Sequence, residues 1–244
     1  PQYVRGIIEG NGKPADGKLW VTYSMNKEDI WVSSVPLPVA DKVSAHANDD
    51  FSKISPDKAL TSWNIYSPLW APVKVETGTL VLKDKDPFDY AKAERIFPAS
   101  KKIIASFSVT PKQNDFGLLE IELQDAKGTA TVRLTFDTAG VLSGKAGARY
   151  KNFMKYEAGK KYDIKLKLDA HTRFYTVTVN GKDALTSLAF QPVADVSRIV
   201  FRTGEVRRFP NVDTPADQTY DLPKAGEMDK EAVYTIGYLK TEGF

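Results

Sequence analysis

The stretch Leu119-Glu-Ile-Glu-Leu-Gln-Asp-Ala-Lys-Gly-Thr-Ala-Thr-Val-Arg-Leu-Thr-Phe136 decides the fold of this chain. Apolar and polar residues alternate on both of its arms, and residues 125–128 between the arms form a turn signal. Because successive side chains of a strand point to opposite faces, each arm has one apolar and one polar face. The spacing therefore predicts a β-hairpin with one buried face. The predicted core residues are Leu119, Ile121, Leu123, Val132, Leu134 and Phe136, and those predicted for the solvent face are Glu120, Glu122 and Arg133.

The same rhythm continues along the chain. Residues 162–168 alternate apolar side chains with lysines, residues 174–179 form a second strand, and Asn180-Gly181 is a strong signal for a type I′ turn. Many short strands joined by Gly and Asn turns, with no convincing helix of three turns, predict an all-β sandwich of two antiparallel sheets. We assign residues 62–244 to this sandwich.

Residues 1–40 carry a smaller β-segment. Strand patterns at residues 19–23 and 30–33 flank a polar turn and predict a short β-hairpin, which ends at a proline-rich run. Its apolar side chains, Trp20 among them, predict that the hairpin docks on the sandwich rather than forming a free tail. Residues 41–61 are polar and aperiodic, which predicts a linker or an ordered surface crossing.

Composition excludes several classes of function. The net charge is +3, from 34 basic and 31 acidic residues with interspersed signs, so no basic stripe exists to track nucleic acid. The chain has no cysteine, which rules out disulfides, thiol catalysis and Cys-ligated metal sites. No apolar run approaches the length of a transmembrane segment. Pro1 is not a natural start, so we expect the chain to be a processed product or part of a longer protein.

Two stretches carry a resemblance to known proteins. Residues 3–12 and 16–33 resemble the closing blade of sialidase-like β-propeller, glycan-degrading proteins of Bacteroidetes. The remainder resembles the jelly-roll domain that follows such propellers and is similar to laminin-G and concanavalin-like folds. The motifs of this second stretch are Glu120-Ile-Glu-Leu-Gln-Asp-Ala-Lys-Gly128, Tyr162-Asp-Ile, Val179-Asn-Gly-Lys and Ile199-Val-Phe-Arg-Thr-Gly204.

The resemblance implies a set of expectations. A propeller needs at least four blades, so any catalytic centre it carries would lie outside this chain. The implied partners are an oligo- or polysaccharide and an upstream propeller domain. The implied location is periplasmic, cell-surface or secreted in a bacterium, in a protein of polysaccharide utilisation associated with glycoside hydrolases.

Glu120 and Glu122 are the catalytic candidates. Laminarinase-type jelly-roll hydrolases place two acids on one strand face, and Glu120 and Glu122 share a face. The acids here run Glu-x-Glu-x-x-Asp, which permutes that family's Glu-x-Asp-x-x-Glu order, and Asp125 also starts a turn. The alternative is a solvated face on which Arg133 pairs with these acids across the hairpin.

The candidates for ligand binding are aromatic and basic. Trp63, Tyr66 and Trp70 lie within eight residues of one another and offer flat faces for sugar stacking, or else plug the end of the sandwich. Arg202, Arg207 and Arg208 are suited to bidentate binding of an acidic sugar carboxylate, or else form internal salt bridges.

The candidates for metal binding are two histidines and one aspartate cluster. Neither His46 nor His171 has a second histidine at ligand spacing, so zinc is not expected. Asp84, Asp86 and Asp89 form an Asp-x-Asp-x-x-Asp cluster, which is a candidate for a structural Ca²⁺ or else a plain polar turn. No other cofactor is expected.

These observations predict a noncatalytic domain that binds carbohydrate or supports the propeller of a carbohydrate-active protein. One alternative is a glycoside hydrolase or polysaccharide lyase acting on a complex polysaccharide. Another is a structural interaction domain without a sugar site. We expect no hydrolytic activity from this chain alone, because the sequence shows no complete catalytic constellation.

Overall fold

The computed structural model describes residues 4–7, 18–25, 29–36, 42–56, 60, 62–87, 89–204 and 227–244. Strands dominate this part of the chain, in which the single helical element is a 3-10 turn at Phe51–Lys53. No helix among the described residues is long and apolar enough to cross a membrane. In chain order the strands are β1 (Val4–Ile7), β2 (Lys18–Met25), β3 (Asp29–Pro36), β4 (Asn48–Asp50), β5 (Trp63–Pro68), β6 (Val73–Glu76), β7 (Thr79–Asp84), β8 (Lys92–Ser100), β9 (Lys102–Pro111), β10 (Leu119–Gln124), β11 (Ala130–Phe136), β12 (Val141–Ala146), β13 (Arg149–Lys155), β14 (Tyr162–Asp169), β15 (Phe174–Val179), β16 (Lys182–Leu188), β17 (Val196–Thr203) and β18 (Ala232–Gly243).

The strands form two sheets with antiparallel pairing throughout the described residues. The larger sheet has the order β1-β2-β3-β5-β8-β17-β10-β11-β12-β13. The smaller sheet has the order β16-β15-β14-β9-β18-β7-β6, and β4 pairs with β18 off this path. The predicted all-β, two-sheet sandwich is confirmed.

The hairpin of β10 and β11 lies in the larger sheet, with Ile121 opposite Leu134 and Glu122 opposite Arg133. All six predicted core residues are fully buried at 0% exposure, which confirms the predicted register. The prediction of a solvated polar face is wrong, because Glu120 and Glu122 keep only 5% and 2% of their surface exposed. Alternation determines which side chains share a face, but it does not reveal whether the second face meets water.

The smaller sheet behaves as the sequence predicts. On β14, Tyr162, Ile164, Leu166 and Leu168 are buried and the intervening residues are exposed. Asn180 and Gly181 connect β15 to β16 with φ values of 50° and 77°, as a type I′ turn requires. Along β14, the outer face of this sheet is therefore polar and open to solvent.

The N-terminal segment continues the larger sheet instead of standing apart. It contains three strands, one more than the predicted hairpin, and Ser33 and Ser34 of β3 pair with β5. The Tyr23 hydroxyl adds a side-chain link by donating to Asp89 Oδ2 at 3.0 Å. Trp20 is nevertheless 41% exposed, so its indole supplies little of the docking energy that its size suggested.

The segment predicted as a linker contributes to the sandwich. Within residues 41–61, strand β4 pairs with β18, and Phe51 is fully buried with its ring centroid 5.7 Å from that of Trp63. The described part of this segment is therefore an ordered crossing, and core packing begins before residue 62.

Candidate functional site

The predicted acid pair lies at the centre of a buried ionic network on the outer face of the larger sheet. Glu120 is the direct strand partner of Arg202, and their side chains form an ion pair. Glu122 is the partner of Arg133, whose Nη2 lies 2.5 Å from Glu122 Oε1. Each arginine also reaches the other acid, at 3.5 Å for Arg133–Glu120 and 3.6 Å for Arg202–Glu122. Both carboxylates are thus held between two guanidinium groups.

Burial and charge pairing act in opposite directions on the pKa values of Glu120 and Arg133. Burial raises the pKa of Glu120 above its ordinary value, although Arg202 and Arg133 act against that shift. For Arg133, burial acts to lower the pKa, but the Tyr150 hydroxyl and both glutamates outweigh it and raise the pKa. The alternative of a solvated face is therefore wrong for these acids, because both are buried between the same two guanidinium groups.

A second group of charges extends the network across the same face. Glu94 on β8 contacts Lys92 at 2.9 Å and Arg198 at 3.0 Å, and it accepts a hydrogen bond from the Asn64 side chain at 2.9 Å. Burial acts to raise the pKa of Glu94, but Lys92, Asn64 and Arg198 outweigh burial and lower it. This face is a ladder of paired charges that joins β5, β8, β17, β10 and β11.

The predicted basic candidates do not form an open carboxylate site. Arg202 is 4% exposed and bonded to Glu120, which corresponds to the internal salt-bridge alternative. Arg207 and Arg208 lie outside the described residues. Nothing in the described structure therefore brings the three arginines together.

The three aromatic candidates are not a shared stacking platform. Trp63 is 5% exposed, packs on Phe201 with 6.3 Å between ring centroids, and donates its indole N–H to Asp49 Oδ2 at 3.1 Å. The Tyr66 hydroxyl donates to Asp89 Oδ2 at 2.7 Å. Trp70 lies in the turn after β5, where its carbonyl accepts from Lys85 N at 3.0 Å. Trp63 belongs to the core, as the alternative reading of this cluster required.

The predicted calcium cluster forms a hydrogen-bonded turn. The Asp84 carboxylate accepts from Asp86 N and the Asp86 carboxylate accepts from Asp89 N, each at 2.9 Å. Burial raises the pKa of Asp84 to about 7, against hydrogen bonds from Thr203 and Asp86 N. Among the described residues, no group of three or more acidic or histidine side chains is arranged to hold a metal ion.

The outer face of the smaller sheet carries a groove that the sequence analysis missed. Its volume is about 480 Å³. Five hydroxyl side chains line it, together with an amide, a tyrosine and charged groups. The hydroxyl residues are Thr79, Ser106, Ser108, Thr110 and Thr235, and the others are Asn48, Tyr238, Asp49, Asp50, Lys161 and Lys240. Ser106, Ser108 and Thr110 alternate with the buried apolar residues Phe107 and Val109 on β9, and this alternation is the signal that sequence reasoning could have used.

A β-bulge in β18 shapes the groove. The pairing of β18 with β9 shifts register between Ile236 and Leu239, and Gly237 and Tyr238 lie in the irregular stretch. Gly237 N–H donates to Ser108 Oγ at 3.2 Å. A Cβ at position 237 would lie 2.6 Å from that oxygen, so the close approach requires glycine. Bulges re-aim side chains, and this one directs Tyr238 into the groove.

Tyr238 is held by neighbours on β14 and on the turn before it. Lys161 Nζ lies 5.7 Å from the centroid of the Tyr238 ring, and Lys161 pairs with Asp163 at 3.1 Å. Burial raises the pKa of the Tyr238 hydroxyl, and Asp163 raises it further. The groove therefore contains a partly exposed aromatic ring with a neutral hydroxyl, surrounded by hydrogen-bonding groups.

The acids that line the groove are engaged elsewhere. Asp49 accepts from Arg95 Nε at 2.7 Å as well as from the Trp63 indole. Asp50 accepts from the Ser52 hydroxyl at 2.6 Å and pairs with Lys53 at 3.0 Å. Chemically, the groove offers donors, acceptors and an aromatic face, without a free pair of carboxylates among the residues that line it.

Comparisons with known proteins identify the family. Residues 63–218, more than half of the chain, match the model of the sialidase-like CBM domain. A solved sialidase of Bacteroides is 53% identical with a TM-score of 0.88, and the match covers 99% of this chain and 22% of the sialidase. No curated protein matches the chain.

Two more distant structures show the fold alone. A non-specific endo-β-1,3(4)-glucanase of family GH16 has a TM-score of 0.55 at 10% identity, covering 84% of this chain and 93% of its own. The carbohydrate recognition domain of Emp47p has a TM-score of 0.51 at 11% identity, covering 84% and 100%. The predicted jelly-roll architecture and the resemblance to sialidase-like proteins are confirmed. By the extent of its match, this chain belongs to the family of sialidase-like CBM domains.

Proposed function

We propose that this chain is a noncatalytic carbohydrate-binding domain whose glycan site is the groove on the outer face of the smaller sheet. The observation that carries the proposal is the composition of that groove, in which hydroxyl, amide and ammonium groups surround the ring of Tyr238. Sugars present many hydroxyl groups and an apolar C–H face. Such ligands need several hydrogen-bonding groups placed around one aromatic surface.

The state of the carboxylates supports a noncatalytic role. Glycoside hydrolysis needs two acids facing a bound sugar, one protonated and one ionised. Asp49 and Asp50 in the groove are each tied to a basic side chain. Glu120 and Glu122 are buried between Arg133 and Arg202, which leaves neither acid able to approach a substrate.

The family supports a role within a larger protein. The chain spans 22% of the length of the Bacteroides sialidase that it matches. We propose that it holds a glycan near a catalytic β-propeller or supports that propeller. The location that we propose is extracytoplasmic, in the periplasm, at the cell surface or in secreted material.

Binding to an array of immobilised glycans tests this function directly. The purified chain is screened against sialylated and desialylated mucin O-glycans and against plant and algal polysaccharides. We expect binding that Tyr238→Ala weakens by at least about tenfold, because an aromatic contact at the centre of a site contributes more than ~1.4 kcal/mol. Tyr238→Phe keeps the ring and should retain most of the affinity.

Tyr150→Ala is the matched control, because Tyr150 is 44% exposed but lies on the larger sheet. If Tyr150→Ala weakens glycan binding as much as Tyr238→Ala does, the loss is not specific to the groove, and the glycan site lies elsewhere. Absence of binding to every glycan would favour the structural interaction domain.

A further inference from the structure

The outer face of the smaller sheet carries a second feature, away from the groove. Phe174 on β15 is 53% exposed and Leu188 on β16 is 40% exposed. They are direct partners across the two strands. The Cβ atoms of residues that lie opposite each other in this way are ~4.5–5.5 Å apart, so the two residues form one apolar surface. Tyr175, the next residue on β15, is buried, which confirms that Phe174 points away from the core.

A second exposed aromatic ring lies at the same end of the smaller sheet as this pair. Phe244 is 48% exposed, and its ring centroid lies 4.3 Å from Lys167 Nζ and 5.6 Å from Lys102 Nζ. Asp169 is the strand partner of both Phe174 and Lys102, and it pairs with Lys102 at 3.2 Å. The ring of Phe244 therefore lies over β14 and β9, next to the strand of Phe174. We call Phe174, Leu188 and Phe244 the aromatic patch.

Strand β9 connects the patch to the groove. Lys102 contacts the patch, and Ser106, Ser108 and Thr110 of the same strand line the groove. Lys102 and Ser108 are six residues apart, which corresponds to ~20 Å along a strand. Lys165, the strand partner of Ser106, is exposed on this face. The patch and the groove are thus two ends of one polar, solvent-facing surface.

The composition of the patch favours a sugar over a protein partner. A stable protein interface buries ~1,200–2,000 Å² in total around a central apolar region. The three apolar side chains of the patch lie among the charged groups of Lys102, Lys167 and Asp169. They are too few to form the central apolar region of such an interface. A sugar ring needs only one aromatic face for its C–H surface, with charged groups nearby for its hydroxyls.

From this geometry we infer that the aromatic patch is a distal subsite for the same glycan that occupies the groove. The domain then binds several consecutive sugars within an oligo- or polysaccharide chain and not only a terminal sugar. This inference rests on the proposed function of the groove. It adds a requirement on the length of the ligand.

Affinity measured against ligand length tests the inference. The probes are two pools of mucin O-glycans, di- to trisaccharides and hexa- to octasaccharides, with β-glucan oligomers of matching lengths as a second series. Titration calorimetry compares the wild-type chain with a Phe174→Ala/Leu188→Ala variant. Tyr150→Ala again serves as the control for an exposed aromatic on the other sheet, and melting temperatures confirm that all variants fold.

We expect the wild-type chain to bind the longer pool about tenfold more tightly than the shorter one, and the double variant to lose this gain. Its affinity for the shorter pool should stay unchanged. Equal affinity of wild type and double variant for the longer pool would overturn the distal subsite and leave the groove proposal intact. If neither pool of either series binds the wild-type chain, the proposed function fails, and the subsite fails with it.

Discussion

Asp84 makes the stability of this domain depend on pH in an unusual direction. Burial raises its pKa from 3.8 to about 7, so the folded state holds a proton on this carboxyl that the unfolded chain releases. The contribution of the neutral acid is therefore fully present below about pH 4 and is lost as the pH rises through about 7. Asp84→Asn removes the titration and keeps an uncharged side chain of the same shape.

The magnitude follows from the size of the pKa change. At ~1.4 kcal/mol for each pH unit, the change from 3.8 to about 7 corresponds to ~4 kcal/mol. Asp84 is only partly buried, and solvent screens it, so we expect ~1–2 kcal/mol in practice. The Asp84→Asn variant should gain this amount of stability relative to wild type as the pH rises from about 4 to about 7.

Urea unfolding at a series of pH values measures this difference. Asp115→Asn, at an exposed position, is the control for the loss of one negative charge. If the free energy of unfolding of wild type instead exceeds that of Asp84→Asn by a margin that grows with pH, Asp84 is ionised in the folded state and the reasoning is refuted. Calcium supplies a separate check: a rise in melting temperature with Ca²⁺ in wild type but not in Asp84→Asn would restore the predicted metal site.

Three further predictions concern the ionic network and the groove. Arg202→Met leaves Glu120 and Glu122 buried with one guanidinium instead of two. We therefore expect chemical denaturation to show a loss of ~3–5 kcal/mol in the free energy of unfolding, which Arg202→Lys should partly restore. A loss below ~1 kcal/mol would mean that the network is solvated. Gly237→Ala forces a methyl group against Ser108 Oγ, so it should cost ~1–3 kcal/mol and weaken glycan binding, and the added change Ser108→Ala should recover both. The chain should release no reducing ends or unsaturated sugars from plant, algal or host polysaccharides; release that disappears in both Glu120→Gln and Glu122→Gln would establish the hydrolase or lyase alternative.

The hairpin of β10 and β11 shows how far sequence reasoning reaches in this fold. Strict alternation predicted its register, because a buried face of period two leaves one solution. The same pattern predicted Arg133 as a partner for the acids, since it lies across a short turn. Arg202 pairs with Glu120, which lies 82 positions earlier in the chain, and no local pattern predicts such a contact. For that reason the acids were expected in water when they are in fact buried.

The groove illustrates a different limit. The hydroxyl residues of β9 were visible as an alternating set, but a polar strand face looks the same whether it is flat or concave. What makes it a groove is the bulge at Gly237 and the pairing of β4 with β18, which are tertiary features. Trp63 shows a third limit, because an indole near prolines is equally typical of a sugar-stacking platform and of a packed core.

The position of β18 has a consequence for the order in which the domain can form. This strand lies between β9 and β7 in the smaller sheet, although both are synthesised long before it. Until residues 232–243 leave the ribosome, β9 and β7 each present an unpaired edge, and the smaller sheet exists as two separate halves. Nascent chains therefore expose edges prone to aggregation while residues 112–231 are synthesised, and closure of the sheet waits for a contact of very long sequence separation. A peptide carrying the β18 sequence should be able to complete a chain that lacks it.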